Sequence, residues 1–295
     1  ADAVGLDYRR MGRFLKPALH SPAAIHAGPL GASAGLKRPR IGGTNGIPES
    51  ARVVSRVMGE EKKAVLVVGG TSGIGRKIVE DLMAGGIRVL AASRNTAKLS
   101  DLAGVEAQEF DATDPEATLD LPESLDAVIY LPGSINLKPF HRFSLGDFQS
   151  DMDLSFFGAV RVLQAAYPAL RRSQRESASV VLFSTVAVAA GLPYHTAIAS
   201  AKAAVEGLGR SLAAEWAPKI RVNVIAPSLT DTPLAEAILS KSGAHEASAK
   251  RHPLNRIGDP AEVAGLATFL AVGPSSFMTG QVLRPDGGLS TVRPL

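Results

Sequence analysis

The stretch "AVLVVGGTSGIGRKIVEDLMAGGIRVLAASR", residues 64–94, changes character three times in a fixed order. "AVLVV" (64–68) is short, apolar and largely β-branched, which reads as a buried strand. "GGTSGIG" (69–75) is a glycine turn. "RKIVEDLMAGG" (76–86) reads as a helix, with Ile78, Val79, Leu82 and Met83 on one face and glycines at its end. "IRVLAASR" (87–94) is again a strand. Strand, glycine turn, helix and strand together form the context that gives a glycine motif meaning. The glycines let the backbone approach a pyrophosphate, and free N–H groups at the helix N-terminus meet its charge. Gly69, Thr71, Ser72, Gly73, Ile74 and Gly75 are therefore the expected cradle of a dinucleotide.

The alternation continues. Strands are expected at 105–110, 126–131, 179–184, 220–225 and 281–284. Helices are expected near 95–103, 147–172, 198–217, 233–240 and 260–271. Repeated β-α units imply a Rossmann-type, doubly wound parallel sheet of the α/β class, with helices on both faces. The reading is one domain over residues 60–295, preceded by a long irregular extension over 1–59. Ligands of such a sheet sit at the C-terminal ends of its strands.

Composition agrees with one sizeable core: 295 residues, 45% of them hydrophobic. No run of 18 or more apolar residues is present to span a bilayer. The absence of cysteine excludes disulfides and thiolate chemistry. No His, Asp or Glu cluster has metal-ligand spacing, and Asp151 and Asp153 are expected at a helix start, where acids suit the dipole. The net charge of +4 is unevenly placed: residues 1–59 carry nine Lys/Arg against three Asp/Glu, which leaves the remainder slightly acidic. Basicity of the extension alone does not support a nucleic-acid role for the folded part.

The extension is punctuated by Pro17, Pro22, Pro29, Pro39 and Pro48, and no apolar period survives in it. Rich in arginine and small residues and poor in acids, it resembles an organelle transit sequence, plastid or mitochondrial, or the segment following one. The first residue, Ala1, is consistent with a trimmed precursor. Such a segment stays ordered only when tied down, which points to a subunit of a larger assembly.

Residues 63–291 resemble the short-chain dehydrogenase/reductase family nearly end to end. "VGGTSGIG" (68–75) is similar to its TGxxxGxG, with Val68 in the threonine place. "FDATD" (110–114) resembles its adenine-side motif and puts Asp111 near the adenine. "RVNVIAPSLTDTP" (221–233) resembles RVNxxxPGxxxT, with Pro227 kept, Ser228 for glycine and Thr232 as the threonine. "MTGQVLRPDGG" (278–288) resembles the last strand and turn. The resemblance implies a nicotinamide cofactor. In NAD binders an acid about 20 residues past the glycines takes the ribose hydroxyls. Here that place reads Ser93-Arg94, and a guanidinium grips a 2′-phosphate that a carboxylate repels, so NADP(H) is expected.

The chemistry of the family rests on Asn, Ser, Tyr and Lys. The lysine maps to Lys202 in "PYHTAIASAK" (193–202), and the tyrosine four before it maps to Ile198. The serine maps to Thr185, the asparagine to Ser155 in "LSFFGAV", and "NNAG" becomes Tyr130-Leu131-Pro132-Gly133. Tyr194 is out of register, eight residues from Lys202. The resemblance then implies Lys202 on the nicotinamide ribose and Thr185 on a substrate oxygen, with Ser155 in a weakened relay. His195 is the best replacement acid and Tyr194 the second, because imidazole exchanges protons near neutrality. Losing a positioned acid costs about 10²–10⁴ in rate. Two readings follow: an oxidoreductase with an altered acid, or a non-catalytic structural or redox-sensing subunit of an organellar complex. Ala199, Ala203 and Gly207 permit close helix approach, and the family pairs this helix across a homo-oligomer interface. The loops 134–147 and 229–252 are where substrate choice is expected.

Overall fold

The computed structural model describes residues 63–293. The extension 1–59, with every expectation placed on it, lies outside the described residues. Seven parallel strands form one sheet in the order β3-β2-β1-β4-β5-β6-β7. They are β1 (Ala64–Val68), β2 (Arg88–Ser93), β3 (Glu106–Glu109), β4 (Ala127–Tyr130), β5 (Ala178–Phe183), β6 (Ile220–Ile225) and β7 (Val282–Leu283). β1, β4, β5 and β6 are buried along their whole length; β1 and β4 are accordingly continuous apolar runs, whereas β5 and β6 also bury Ser179, Arg221 and Asn223. At the β3 edge, Arg88 holds Glu106 at 2.6 Å, a charged pair on an exposed margin.

Two apolar layers close the sheet. On one face Leu66, Val68, Val128, Val180 and Val222 pack with α3 (Gly158–Arg171) and α5 (Thr196–Trp216). On the other, Val65, Val67, Ile129 and Val181 pack with α1 (Gly73–Ala84) and α8 (Pro260–Val272). Strand order turns back beside β1, which pairs with β2 on one side and β4 on the other. The crevice that opens there is the ligand position of a doubly wound sheet. No helix among the described residues is long and apolar enough to cross a membrane.

Several elements differ from expectation, each for a local reason. The helix at 95–103 is only a 3-10 turn, Thr96–Leu99. The helix at 233–240 is a 3-10 turn, Pro233–Ala235, followed by the short α6 (Glu236–Leu239). Two further short helices, α4 (Ala187–Ala190) and α7 (Ala244–Ala249), carry no periodicity long enough to announce them. The single helix at 147–172 starts earlier, as α2 (Leu145–Met152), behind a reciprocal cap in which Ser144 and Asp147 bond each other's backbone N–H. Asp147 is therefore the first-turn acid. Asp151 lies at the end of α2, buried, and not at a helix start.

Between α2 and α3 the chain widens into a π turn, Asp153–Phe157. Tyr130, at the end of β4, donates its hydroxyl to the Leu154 carbonyl at 2.5 Å. A side chain on Gly158 would come within 2.2 Å of that hydroxyl. The tyrosine, the π turn and the glycine are thus one interlocked unit, and it buries Ser155. Tyr130→Phe is expected to lower unfolding free energy by about 1–2 kcal/mol in urea denaturation, because the buried carbonyl loses its donor. An unchanged midpoint removes this account of the π turn.

Candidate functional site

A cavity of about 710 Å³ lies at the C-terminal ends of β1, β2, β4, β5 and β6. The glycine loop forms one end. A Cβ on Gly75 would stand 2.1 Å from the Gly69 carbonyl oxygen, so the first turn of α1 lies directly under the loop. Gly69 and Gly73 have φ of 88° and 50°, the left-handed region that favours glycine. Ser72 is the helix N-cap yet makes no side-chain cap, and the first turn of α1 carries no acid. Its N–H groups thus face the cavity uncompensated, which fits an anionic pyrophosphate. Thr71, Ser72, Gly73 and Ile74 all line the wall. Thr232 packs across the loop, close enough that a Cβ on Gly73 would meet it at 3.1 Å.

Ser93 ends β2 with its hydroxyl buried and unpaired, and Arg94 follows it, exposed on the cavity wall. Asp111 lies on the same wall and accepts from Thr113 N–H at 2.9 Å and Thr113 hydroxyl at 2.7 Å. Those bonds hold its carboxyl below the usual range, with Arg94 a further favourable charge. The unfilled polar groups and the glycine cradle fit a dinucleotide.

At the other end, Lys202 is buried and donates to the Pro132 carbonyl at 3.0 Å. A Cβ on Gly133 would sit 2.9 Å from its Nζ, so the glycine makes room for the ammonium. Burial pushes the Lys202 ammonium down to about 8, opposed by the charge of Asp151. Asp151 accepts from the Ser134 hydroxyl, and burial raises its own carboxyl. Thr185 is on the wall, and its Oγ1 accepts from Ala187 N–H at 3.3 Å, which leaves its O–H to donate into the cavity.

Ile198 is 5% exposed on the same wall and brings no proton. His195 is half-buried at the start of α5, with Nδ1 against the Pro193 carbonyl at 2.7 Å. Tyr194 is an exposed wall residue with φ of 68°. Gly133 and Pro227 line the cavity, whereas Ser155 does not: it is fully buried in the π turn, its hydroxyl unpaired.

Two polar pairs escaped the sequence reading. One is Ser134–Asp151. The other is Ser228–His252, with His252 Nε2 2.9 Å from Ser228 Oγ and both residues on the wall. Ser228 in the glycine place was visible. Its partner, 24 residues on, belongs to no motif.

A parallel sheet with a glycine loop at its crevice and a buried lysine and a threonine hydroxyl on the wall of the same cavity is the architecture of a Rossmann-type oxidoreductase. The chain belongs to the short-chain dehydrogenase/reductase family, whose members use a nicotinamide cofactor. A family model described as enoyl-(acyl carrier protein) reductase matches residues 68–290. A chloroplastic tropinone reductase homologue of Arabidopsis thaliana is 35% identical over 244 residues, 77% of this chain and 75% of that protein. A tropinone reductase homologue of Datura stramonium is 32% identical over 243 residues, 76% of this chain and 90% of that one. Among solved structures, ligand-free aldohexose dehydrogenase of Thermoplasma acidophilum superposes with a TM-score of 0.71 at 29% identity, covering 79% of this chain and 96% of that one.

Burial of Lys202 has a measurable sign. A lysine whose folded pKa is lowered to about 8 resists folding while charged, so its penalty is full below pH 8 and fades as pH rises towards 10.5. Lys202→Met is therefore expected to be at least as stable as the parent at pH 7. The advantage, up to about 3 kcal/mol, should shrink by pH 10 in thermal or urea denaturation. The same variant is expected to lose tenfold or more in affinity for nicotinamide dinucleotide. A strongly destabilised variant with unchanged cofactor affinity would make the lysine structural.

Proposed function

We propose that this chain binds NADP(H) and interconverts an apolar carbonyl compound and its alcohol. The observation that carries the reading is one cavity joining the glycine loop and Arg94 at one end to Thr185 and Lys202 at the other. Bound there, the cofactor supplies the hydride, and the protein supplies position and charge.

Each residue has a task in this reading. Gly69, Thr71, Ser72, Gly73, Ile74 and Gly75 seat the pyrophosphate. Asp111 lies at the adenine end. Ser93 and Arg94 take a ribose 2′-phosphate, the exposed guanidinium meeting a dianion that no acid at this position opposes. Gly133, Pro227 and Thr232 enclose the nicotinamide, and Lys202 holds its ribose. Thr185 donates to the substrate oxygen. Ser155, buried away from the cavity, acts by filling the π turn and not by contact. The missing proton must enter from another wall residue, and His195 is the rim candidate.

The substrate end is lined by Ile135, Leu137, Leu192, Leu229, Leu234 and Ile238. All but Leu192 come from the loops 134–147 and 229–252, where specificity is expected. Such a wall favours a hydrocarbon ring or chain bearing one oxygen over a polyhydroxylated sugar, whose hydroxyls would lose water without gaining partners. The names of the tropinone reductase homologues point the same way, to a ring ketone.

The surroundings are part of the proposal. The basic extension and the chloroplastic relative support a plastid location. Ala203 is exposed, and a Cβ on Gly207 would meet nothing within 4 Å, so this face of α5 is open for a second copy, as the family resemblance implies. The non-catalytic reading draws on Ile198, on Ser155 in the asparagine place and on the long extension 1–59.

Titration with NADPH and NADH, followed by cofactor fluorescence, tests the reading. Tighter binding of NADPH is expected, and Arg94→Ala should erase most of the preference while leaving NADH affinity nearly unchanged. Binding of neither cofactor would end both the enzyme and the sensor readings. Binding without turnover of any ketone would leave the sensor.

A further inference from the structure

We propose that Ser228 and His252 form a proton relay that delivers to the substrate oxygen the proton Ile198 cannot supply. The inference rests on the carbonyl-oxidoreductase reading and adds the missing half of its chemistry.

The geometry is specific. His252 Nδ1 is 2.9 Å from the Ser248 carbonyl, and Nε2 is 2.9 Å from Ser228 Oγ. A carbonyl only accepts, so Nδ1 carries a hydrogen. Nε2 is left for the serine: it accepts the Ser228 O–H when the ring is neutral and donates to Ser228 Oγ when the ring carries a second proton, as in other oriented His–hydroxyl pairs. The ring is 3% exposed, yet it reaches the cavity wall beside its serine. Its segment is tied down: Asn255 N–H bonds the His252 carbonyl at 2.8 Å, and Leu254 N–H bonds the Gly287 carbonyl at 3.2 Å. Asp286 in turn holds that last turn by accepting from Gly288 and Ser290 N–H, each at 2.9 Å.

Ser228 is also in the right place. Val186 N–H donates to the Pro227 carbonyl at 3.0 Å, so Thr185 and Ser228 flank one bonded junction between the ends of β5 and β6. A substrate oxygen held by Thr185 is within the same end of the cavity as the Ser228 hydroxyl. His195 lacks this construction. It sits at the half-buried rim, with one ring nitrogen turned to the Pro193 carbonyl.

In reduction, protonated His252 donates from Nε2 to Ser228 Oγ, and Ser228 donates its O–H to the substrate carbonyl oxygen. A reduced nicotinamide held by the glycine loop and Lys202 would supply the hydride for the new C–H bond, and the C=O π pair would move to oxygen. The Ser228 O–H breaks to protonate that oxygen while the Nε2 proton passes to Ser228. His252 ends neutral, accepting from Ser228, and is recharged from water. Oxidation runs each transfer backwards. Ser228 is the catalytic residue. His252 acts through it, as a positioning and proton-loading residue.

The test compares wild type, Ser228→Gly, His252→Ala and His195→Ala, with NADPH and three probes: tropinone, cyclohexanone and 2-decalone. Ser228→Gly and His252→Ala are expected to bind NADPH within roughly threefold of wild type. Their kcat should fall roughly 10²–10³-fold without a matching rise in KM. Added imidazole should restore His252→Ala tenfold or more, but not the double variant lacking Ser228. If His252→Ala does not fold, His252→Gln replaces it in the kcat and KM comparison. A wild type that turns over while Ser228→Gly matches it overturns the relay and leaves the reductase reading intact. So does His195→Ala losing as much as His252→Ala, with no imidazole rescue of the latter. A wild type that reduces none of the probes removes the reductase reading, and the relay with it.

Discussion

The close approach of Gly75 to the Gly69 carbonyl sets the rest of the molecule in place. With 2.1 Å between that oxygen and any Cβ, only glycine lets α1 begin directly beneath the end of β1. A helix starting there aims its unpaired N–H groups into the crevice where β1 separates β2 from β4. The loop above it is then long enough to curve, and Gly69 and Gly73 bend it through left-handed backbone. Arg94 and Asp111 reach the same crevice because β2 and β3 run parallel to β1 and end on the same side. Moving α1 outward would give up both the anion site and its register with the neighbouring strands.

The far end of the cavity rests on a costlier arrangement. Lys202 is a buried ammonium, paired with one carbonyl and the field of a buried carboxyl. A stability-driven sequence would replace it with an apolar side chain, since desolvating a charge is expensive. Gly133 is shaped to admit its Nζ, and Ser134 anchors Asp151 beside it. Three residues from one loop and a helix therefore serve one buried charge. Such local loss of stability is the usual mark of a working site.

How much of this was legible follows from how local each cause is. β1, the glycine turn and α1 were readable because periodicity, propensity and turn chemistry agree within one short stretch. The C-terminal strands were readable for the same reason, although β7 shrank to two residues at the sheet margin. "RVN" was read through resemblance, and the structure gives its physical content. Arg221 clamps the carbonyls of Leu270, Ser275 and Met278, and Asn223 bonds Met278 and Gln281. The π turn was illegible: nothing in "DLSFF" announces it, and its cause is a tyrosine 24 residues earlier. Asp151 was misplaced because the true cap, Ser144 with Asp147, lies upstream of where apolar periodicity begins. His252 was invisible because a lone histidine becomes chemistry only when the fold sets a hydroxyl against it.

An isoleucine at position 198, where the family resemblance places a tyrosine, does not by itself decide whether chemistry survives. Position 198 faces the cavity from α5, and isoleucine there extends the apolar wall towards the substrate. The proton is the smaller part of the barrier: an acid contributes about 3–5 kcal/mol, while orientation contributes about 7–11. In the proposed function the orienting features are the loop, the buried lysine and the Thr185 hydroxyl, all on one cavity wall. A proton source on a different wall changes the direction of delivery and not the amount required. Moving it from α5 to the junction after β6 also frees the α5 wall to contact hydrocarbon. A tyrosine at 198 would put a phenol against that wall, so under the proposed function the apolar residue and a donor after β6 both follow from an apolar substrate.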